Sequence, residues 1–74
     1  MAQQQLDVTG LKCPLPILRA KKALAALQAG DVLTVLATDA GAPDDFAAFC
    51  RQTGHVLLAS TEDNGVFTLV VQHK

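Results

Sequence analysis

Cys13 stands in the stretch Lys12-Cys13-Pro14-Leu15-Pro16, between a short alternating apolar segment and a long helical pattern. Proline is tolerated in the first turn of a helix, because the N–H it lacks would have no intrahelical partner there. A residue before proline is biased towards extended backbone, which restrains both Cys13 and Leu15. Two registers follow: Pro14 opens the helix with Cys13 as N-cap, or Pro16 opens it with Leu15 as N-cap. Leucine offers no acceptor to the free N–H groups, whereas a sulfur anion does, so Cys13 is the expected cap. There the sulfur would meet the positive end of the helix dipole, and its pKa should fall. Lys12, with Arg19, Lys21 and Lys22 further along, adds positive charge on the same side. The competing reading is a small buried hydrophobe that happens to precede a helix. Two prolines and a lysine around it favour the outward, reactive sulfur.

The other groups with chemical potential are fewer. Cys13 and Cys50 do not form a C-x-x-C pair, so a thioredoxin-type motif is absent. A zinc site from Cys13, Cys50, His55 and His73 lacks the usual paired spacing. Phe46, Phe49 and Cys50 share one helical face, which makes Cys50 an inert core residue. Asp44 and Asp45 fall in a first helical turn, where acids complement the dipole. Asp39 and Asp45 are also candidates for supporting the cysteine end or selecting partners. His55 and His73 sit at strand ends and read as solvent-exposed bystanders.

The elements that must position Cys13 are legible from periodicity. Gln4 to Val8 alternates as a short strand, with Leu6 and Val8 on one face, and Thr9-Gly10 breaks it. A helix is expected from Pro14 to Ala29, about 24 Å long, with Ile17, Ala20, Leu24 and Leu27 facing the sheet. Arg19 and Lys22 lie opposite, either as a plain solvated face or as a docking surface for an acidic partner. Gly30 suits a left-handed helix end. Asp31 to Thr38 is a β-branched strand, parallel to the first because a helix connects them. Asp39 to Pro43 is a loop, followed by a second helix from Asp44-Asp45 to about Thr53-Gly54. His55–Thr61 and Val66–Gln72 are the last strands, and Asp63-Asn64-Gly65 signals a tight antiparallel hairpin. The order β-α-β-α-β-β predicts a two-layer α/β (α+β) sandwich, with a mixed four-stranded sheet and two helices on one face. Its Cys13 loop would lie at the carboxyl end of the first strand, where open α/β sheets commonly place sites.

Composition narrows the function. At 74 residues the chain reads as one small domain, 1–74, and half of it is apolar, enough for a core. A net charge of −1 argues against neutralising a nucleic-acid backbone. No apolar run reaches transmembrane length, and the polar start Met1-Ala2-Gln3-Gln4-Gln5 is not a signal peptide. A cytoplasmic protein is expected, with no structural disulfide.

With these residues in place, the sequence resembles the TusA/SirA-like family of small sulfur carriers. The resemblance covers nearly the whole chain. It is anchored on the family's C-P-x-P box, here Cys13-Pro14-Leu15-Pro16, with the typical approach Gly10-Leu11-Lys12. Gly30-Asp31, and Asp39 through Asp45 to Phe49-Cys50, match further. Leu15 departs from an acidic residue in some members, and Ala40 from a proline often found after the aspartate. Both departures lie where partners read the protein. The resemblance implies that Cys13 accepts a persulfide sulfur from a cysteine desulfurase or another donor and relays it to an acceptor protein. The acceptor would serve tRNA thiolation, cofactor sulfuration or sulfur oxidation.

The expected protein is thus a sulfurtransferase-type carrier rather than a stand-alone catalyst, monomeric, with no cofactor or metal and no membrane or nucleic-acid partner. Cys13 is the covalent site, Pro14 and Pro16 shape the turn, and Lys12, Arg19, Asp39 and Asp45 support the sulfur or dock partners. The rivals are a thiol redox protein using Cys13 with Cys50, and a regulatory or nucleic-acid-binding module of the same fold. The latter would want a basic, aromatic sheet face, and that face here carries Val32, Thr34, Thr68 and Gln72.

Overall fold

Along β2 (Val32–Ala37) every second residue is apolar and small enough to pack under a helix, and that alternation sets the architecture. Leu33, Val35 and Ala37 are fully buried, whereas Val32, Thr34 and Leu36 on the opposite face are only half-buried. The structure, a computed structural model, describes residues 2–74; Met1 lies outside the described residues. β2 pairs parallel with β1 (Gln3–Val8) and antiparallel with β4 (Val66–Gln72). β3 (Val56–Asp63) adds to the far side of β4, giving the order β1-β2-β4-β3. Leu33 faces Val71, Val35 faces Leu69 and Ala37 faces Phe67 across the β2–β4 ladder, so one sheet face is continuously apolar.

The two helices, α1 (Leu15–Ala25) and α2 (Ala42–Thr53), bury their apolar stripes on that face. Pro16, Ala20 and Leu24 are the buried residues of α1, with Ile17 and Leu27 packed at the margin of the core. Phe46, Phe49 and Cys50 are buried from α2. Cys50 is thus the core residue its helical spacing predicts. The chain order is β-α-β-α-β-β, a mixed four-stranded sheet with both helices on one side, as expected.

Element boundaries depart from the sequence reading for local reasons. The first helix ends at Ala25 rather than Ala29. The Ala26 and Leu27 N–H groups tighten onto Ala23 and Leu24 carbonyls, and the Asp31 carboxylate accepts the Gln28 N–H at 2.9 Å. A side-chain acceptor competing for backbone donors draws the chain out of the helix into a turn. Gly30, at φ 89°, belongs to this turn and donates its N–H to the His73 carbonyl. The second helix begins at Ala42, two residues before Asp44, with Gly41 as its N-cap. Pro43 fits in the first turn without an N–H. The third strand runs on to Asp63 and pairs with Val66, past a register shift between Leu57 and Ala59. Asn64 and Gly65 both have positive φ, the two-residue hairpin turn expected from Asn-Gly.

Two stability outcomes follow. Phe46 is completely buried, so Phe46→Ala should cost about 3–5 kcal/mol in urea unfolding, whereas Leu58→Ala, at a side chain 52% exposed, should stay within about 0.5 kcal/mol. The N–H groups of Gln28 and then Ala2 hold the Asp31 carboxyl below its usual range. Its contribution is therefore present above the unfolded carboxyl value, about pH 3.9, and is lost as pH falls through the lowered folded value. Asp31→Asn should flatten the acid limb of the unfolding curve relative to the native chain.

Candidate functional site

The loop carrying Cys13 leaves the carboxyl end of β1 and meets the loop leaving the neighbouring end of β2. Asp7 begins the turn, accepting both the N–H and the hydroxyl of Thr9 at 2.9 and 2.7 Å. Gly10, at φ 81°, donates its N–H to the Thr38 hydroxyl at 2.8 Å, and this bond joins the two loops. Leu11 then donates back to the Val8 carbonyl and packs against the core. Parallel pairing brings Thr38 and Asp39, which follow β2, to the same edge as the loop that follows β1.

Cys13 is exposed, but it is not the helix cap. Pro14 occupies that position, Pro16 falls inside the first turn and is buried, and no side chain caps the helix. The Cys13–Pro14 peptide bond is cis, and Leu15 donates its N–H to the Lys12 carbonyl at 2.9 Å. Leu18 donates to the Pro14 carbonyl at 3.1 Å. Since neither proline has an N–H, Ile17 is left as the first-turn donor without a backbone partner among the described residues. The turn has consumed most of the donors that would draw a sulfur anion to a helix start.

The electrostatics follow the carboxylates instead. The Cys13 thiol is held above its usual value, first by donating to the Asp45 carboxylate, then by desolvation and by the charges of Asp45 and Asp39. This corrects the expectation of a lowered pKa. The two acids converge on Gly41: a Cβ placed there would lie 3.2 Å from Asp39 Oδ2 and 3.6 Å from Asp45 Oδ2. The Gly41 N–H also donates to Asp39 Oδ2 at 3.2 Å. Asp45 is held in place because Phe46, the next residue, is fully buried.

Cys13, Pro14, Ile17 and Lys21 from the α1 side, with Asp45, Ala48, Phe49 and Gln52 from α2, line a cleft of about 240 Å³. Lys12 and Arg19 are exposed and do not line it. Leu15 and Leu18, on the first turn of α1, are large apolar side chains left 44% and 50% exposed. Cys50 is buried, with its thiol pushed up by desolvation. The histidines are not exposed bystanders: both are half-buried, His55 lies edge-on to His73 with centroids 4.7 Å apart, and it packs 5.7 Å from Phe49. Of the candidates for supporting the sulfur, Asp45 and Asp39 face Cys13 whereas Lys12 and Arg19 stand outside its cleft, and the pairing of the histidines was not legible from spacing. The Cys13–Asp45 contact spans two loops and a helix packing, and the histidines meet only because β3 and β4 are neighbours.

Residues 4–73 match the family described as Sulfurtransferase TusA. The chain is 80% identical over 74 residues, the full length of both, to a candidate sulfur carrier protein of Neisseria meningitidis serogroup A. It is 54% identical over 69 residues to the sulfur carrier protein TusA of Allochromatium vinosum, covering 93% of this chain and 91% of that one. A SirA-like protein of Desulfitobacterium hafniense has a similar crystal structure, with a TM-score of 0.83 and 34% identity, over 93% of this chain and 95% of that one.

Removal of the carboxylate charge beside the sulfur has a predictable sign. Asp45→Asn should lower the Cys13 pKa, shifting the pH profile of alkylation to lower pH in a Cys50→Ser background. An unchanged profile would mean that the two groups do not interact in solution.

Proposed function

The chain belongs to the TusA family of sulfurtransferases, and from that premise we propose that it carries one sulfur atom as a persulfide on Cys13, taken from a cysteine desulfurase or similar donor and handed to an acceptor protein. The observation that carries this reading is the placement of the C-P-x-P cysteine: Cys13 is exposed at the rim of a cleft, whereas the second thiol, Cys50, is only 5% exposed. A buried thiol is a poor partner for a dithiol redox cycle, which favours the carrier over the oxidoreductase.

The step needs no redox partner. A Cys13 thiolate attacks the terminal sulfur of a donor persulfide; the new S–S bond forms as the donor's breaks, and the donor thiolate takes up the proton that Cys13 gave. The reverse arrangement on an acceptor cysteine releases the sulfur. Because Asp45 and Asp39 disfavour the thiolate, the free protein rests as a thiol. A partner that brings a cation against these acids lowers the Cys13 pKa on docking, and so couples attack and release to binding. Leu15 and Leu18 offer the apolar part of that docking surface, and Lys12 and Arg19 its basic rim. Pro14 and Pro16 hold the turn that presents the sulfur. The setting is cytoplasmic, and the acceptor serves tRNA thiolation, cofactor sulfuration or sulfur oxidation.

The test is intact mass after incubation with a cysteine desulfurase and cysteine. A reductant-sensitive gain of one sulfur should appear in the native chain and in Cys50→Ser and vanish in Cys13→Ser. A gain that survives Cys13→Ser and is lost in Cys50→Ser would overturn the assignment.

A further inference from the structure

A persulfide places its outer sulfur about 2 Å beyond the cysteine sulfur, either in solvent or in the cleft that Cys13 lines. Pro14, Ile17, Ala48 and Phe49 make much of that lining apolar, and its polar groups stand apart. On the α2 wall Gln52 follows Asp45 by two turns, about 10 Å of helix. On the α1 wall Lys21 comes one turn after Ile17. Among the described residues lining the cleft, Lys21 is the one cation and Asp45 the one anion.

Lys21 is exposed, and its Nζ rests 6.0 Å from the centroid of the Phe49 ring. Both residues also line the separate cleft that His55 and His73 border. The face of the ring attracts the ammonium, which is carried on a long flexible stem. Helical side chains lean toward the N-terminus of their helix, so this stem tilts back past Ile17 toward the end of the cleft where Cys13 lies. The free thiol answers to the other charge: it is governed by Asp45, first through the hydrogen bond, then by desolvation and by Asp39. Once a sulfur is added, the proton or the charge sits on the outer sulfur, one S–S bond further from that carboxylate contact.

We infer that Lys21 is the positioning residue for the loaded sulfur: the outer sulfur of a Cys13 persulfide turns into the cleft, away from Asp45, and rests there as an anion facing the Lys21 ammonium. The inference rests on Cys13 being the carrier cysteine and says where its cargo lies. An anion brought from water against apolar walls needs a cation within reach, and Asp45 repels it from the other side. The two states of the sulfur are thereby sorted. The empty protein keeps a thiol that donates to Asp45, and the loaded protein keeps an anion held by Lys21. The anion is the form that attacks an electrophile, so Lys21 keeps the cargo reactive. Iodoacetamide reports on that form: the outer sulfur's electron pair makes an S–C bond, the C–I bond breaks and iodide leaves.

The experiment follows capture of the outer sulfur by iodoacetamide across pH, read by intact mass, in the Cys50→Ser protein. That protein is loaded with a cysteine desulfurase and cysteine or with inorganic polysulfide, freed of the donor, and compared with Lys21→Gln, Lys21→Arg and Arg51→Gln made in it. Arg51 is exposed and lies outside the cleft, so its variant removes the same charge elsewhere. Lys21→Gln should shift the capture profile to higher pH and slow capture about threefold below the midpoint, the effect of one exposed ion pair. Lys21→Arg and Arg51→Gln should keep the parent profile, and Lys21→Gln should leave the profile of the unloaded thiol in place. A persulfide profile indifferent to Lys21→Gln, or moved equally by Arg51→Gln, overturns the role of Lys21 while leaving the carrier intact. An equal shift of the unloaded thiol does the same, since Lys21 would then act on either state alike. A Cys13 that neither donor loads in the parent protein overturns the carrier reading, and this inference with it.

Discussion

The site depends on how α2 is seated. Phe46 and Phe49 are driven under the sheet face by the cost of leaving large aromatic surface in water. With Phe46 buried, α2 carries Asp45 to the edge where the Cys13 loop arrives. Phe49 then closes the bottom of the cleft for both helices, and Cys50, its neighbour, is removed from chemistry by the same burial. A single apolar stripe thus sets one carboxylate beside the exposed sulfur, Cys13, and buries the second sulfur, Cys50.

Two effects compete for the protonation state of Cys13. A helix start favours the anion, but its strength comes from unpaired N–H groups. Here two prolines supply none, and the turn closed by Leu15 onto Lys12 uses another. Asp45 and Asp39 lie close with formal negative charge, and the thiol can donate to the first of them. The carboxylates prevail. A sulfur held as a thiol is protected from indiscriminate attack in the free protein, since the thiolate is the reactive form. Activation by a docking partner, as proposed for Cys13, would suit a member of a sulfurtransferase family.

Much of this was legible in the residues. The alternation of Leu33, Val35 and Ala37, the helical stripe of Phe46, Phe49 and Cys50, and the Asn64-Gly65 turn each encode an element locally, and each element formed where its pattern lay. The motif around Cys13 marked the exposed cysteine. What periodicity missed depends on contacts distant in sequence or on side chains competing for backbone. Asp31 capturing the Gln28 N–H shortened the first helix. The helix start moved past Cys13 because Lys12 supplied a carbonyl to Leu15. Asp45 acts on the sulfur through packing that no spacing rule contains, and the paired histidines need the β3–β4 register to meet.

The protonation state of Cys13 is open to direct titration. Thiolate absorbance, followed with pH in the Cys50→Ser protein without partners, reports on that sulfur alone. A pKa above that of a free cysteine, about 8.5, is the result predicted by carboxylates outweighing a depleted helix start. A pKa below that of a free cysteine would contradict it, and would return control of the sulfur to the helix and its lysines.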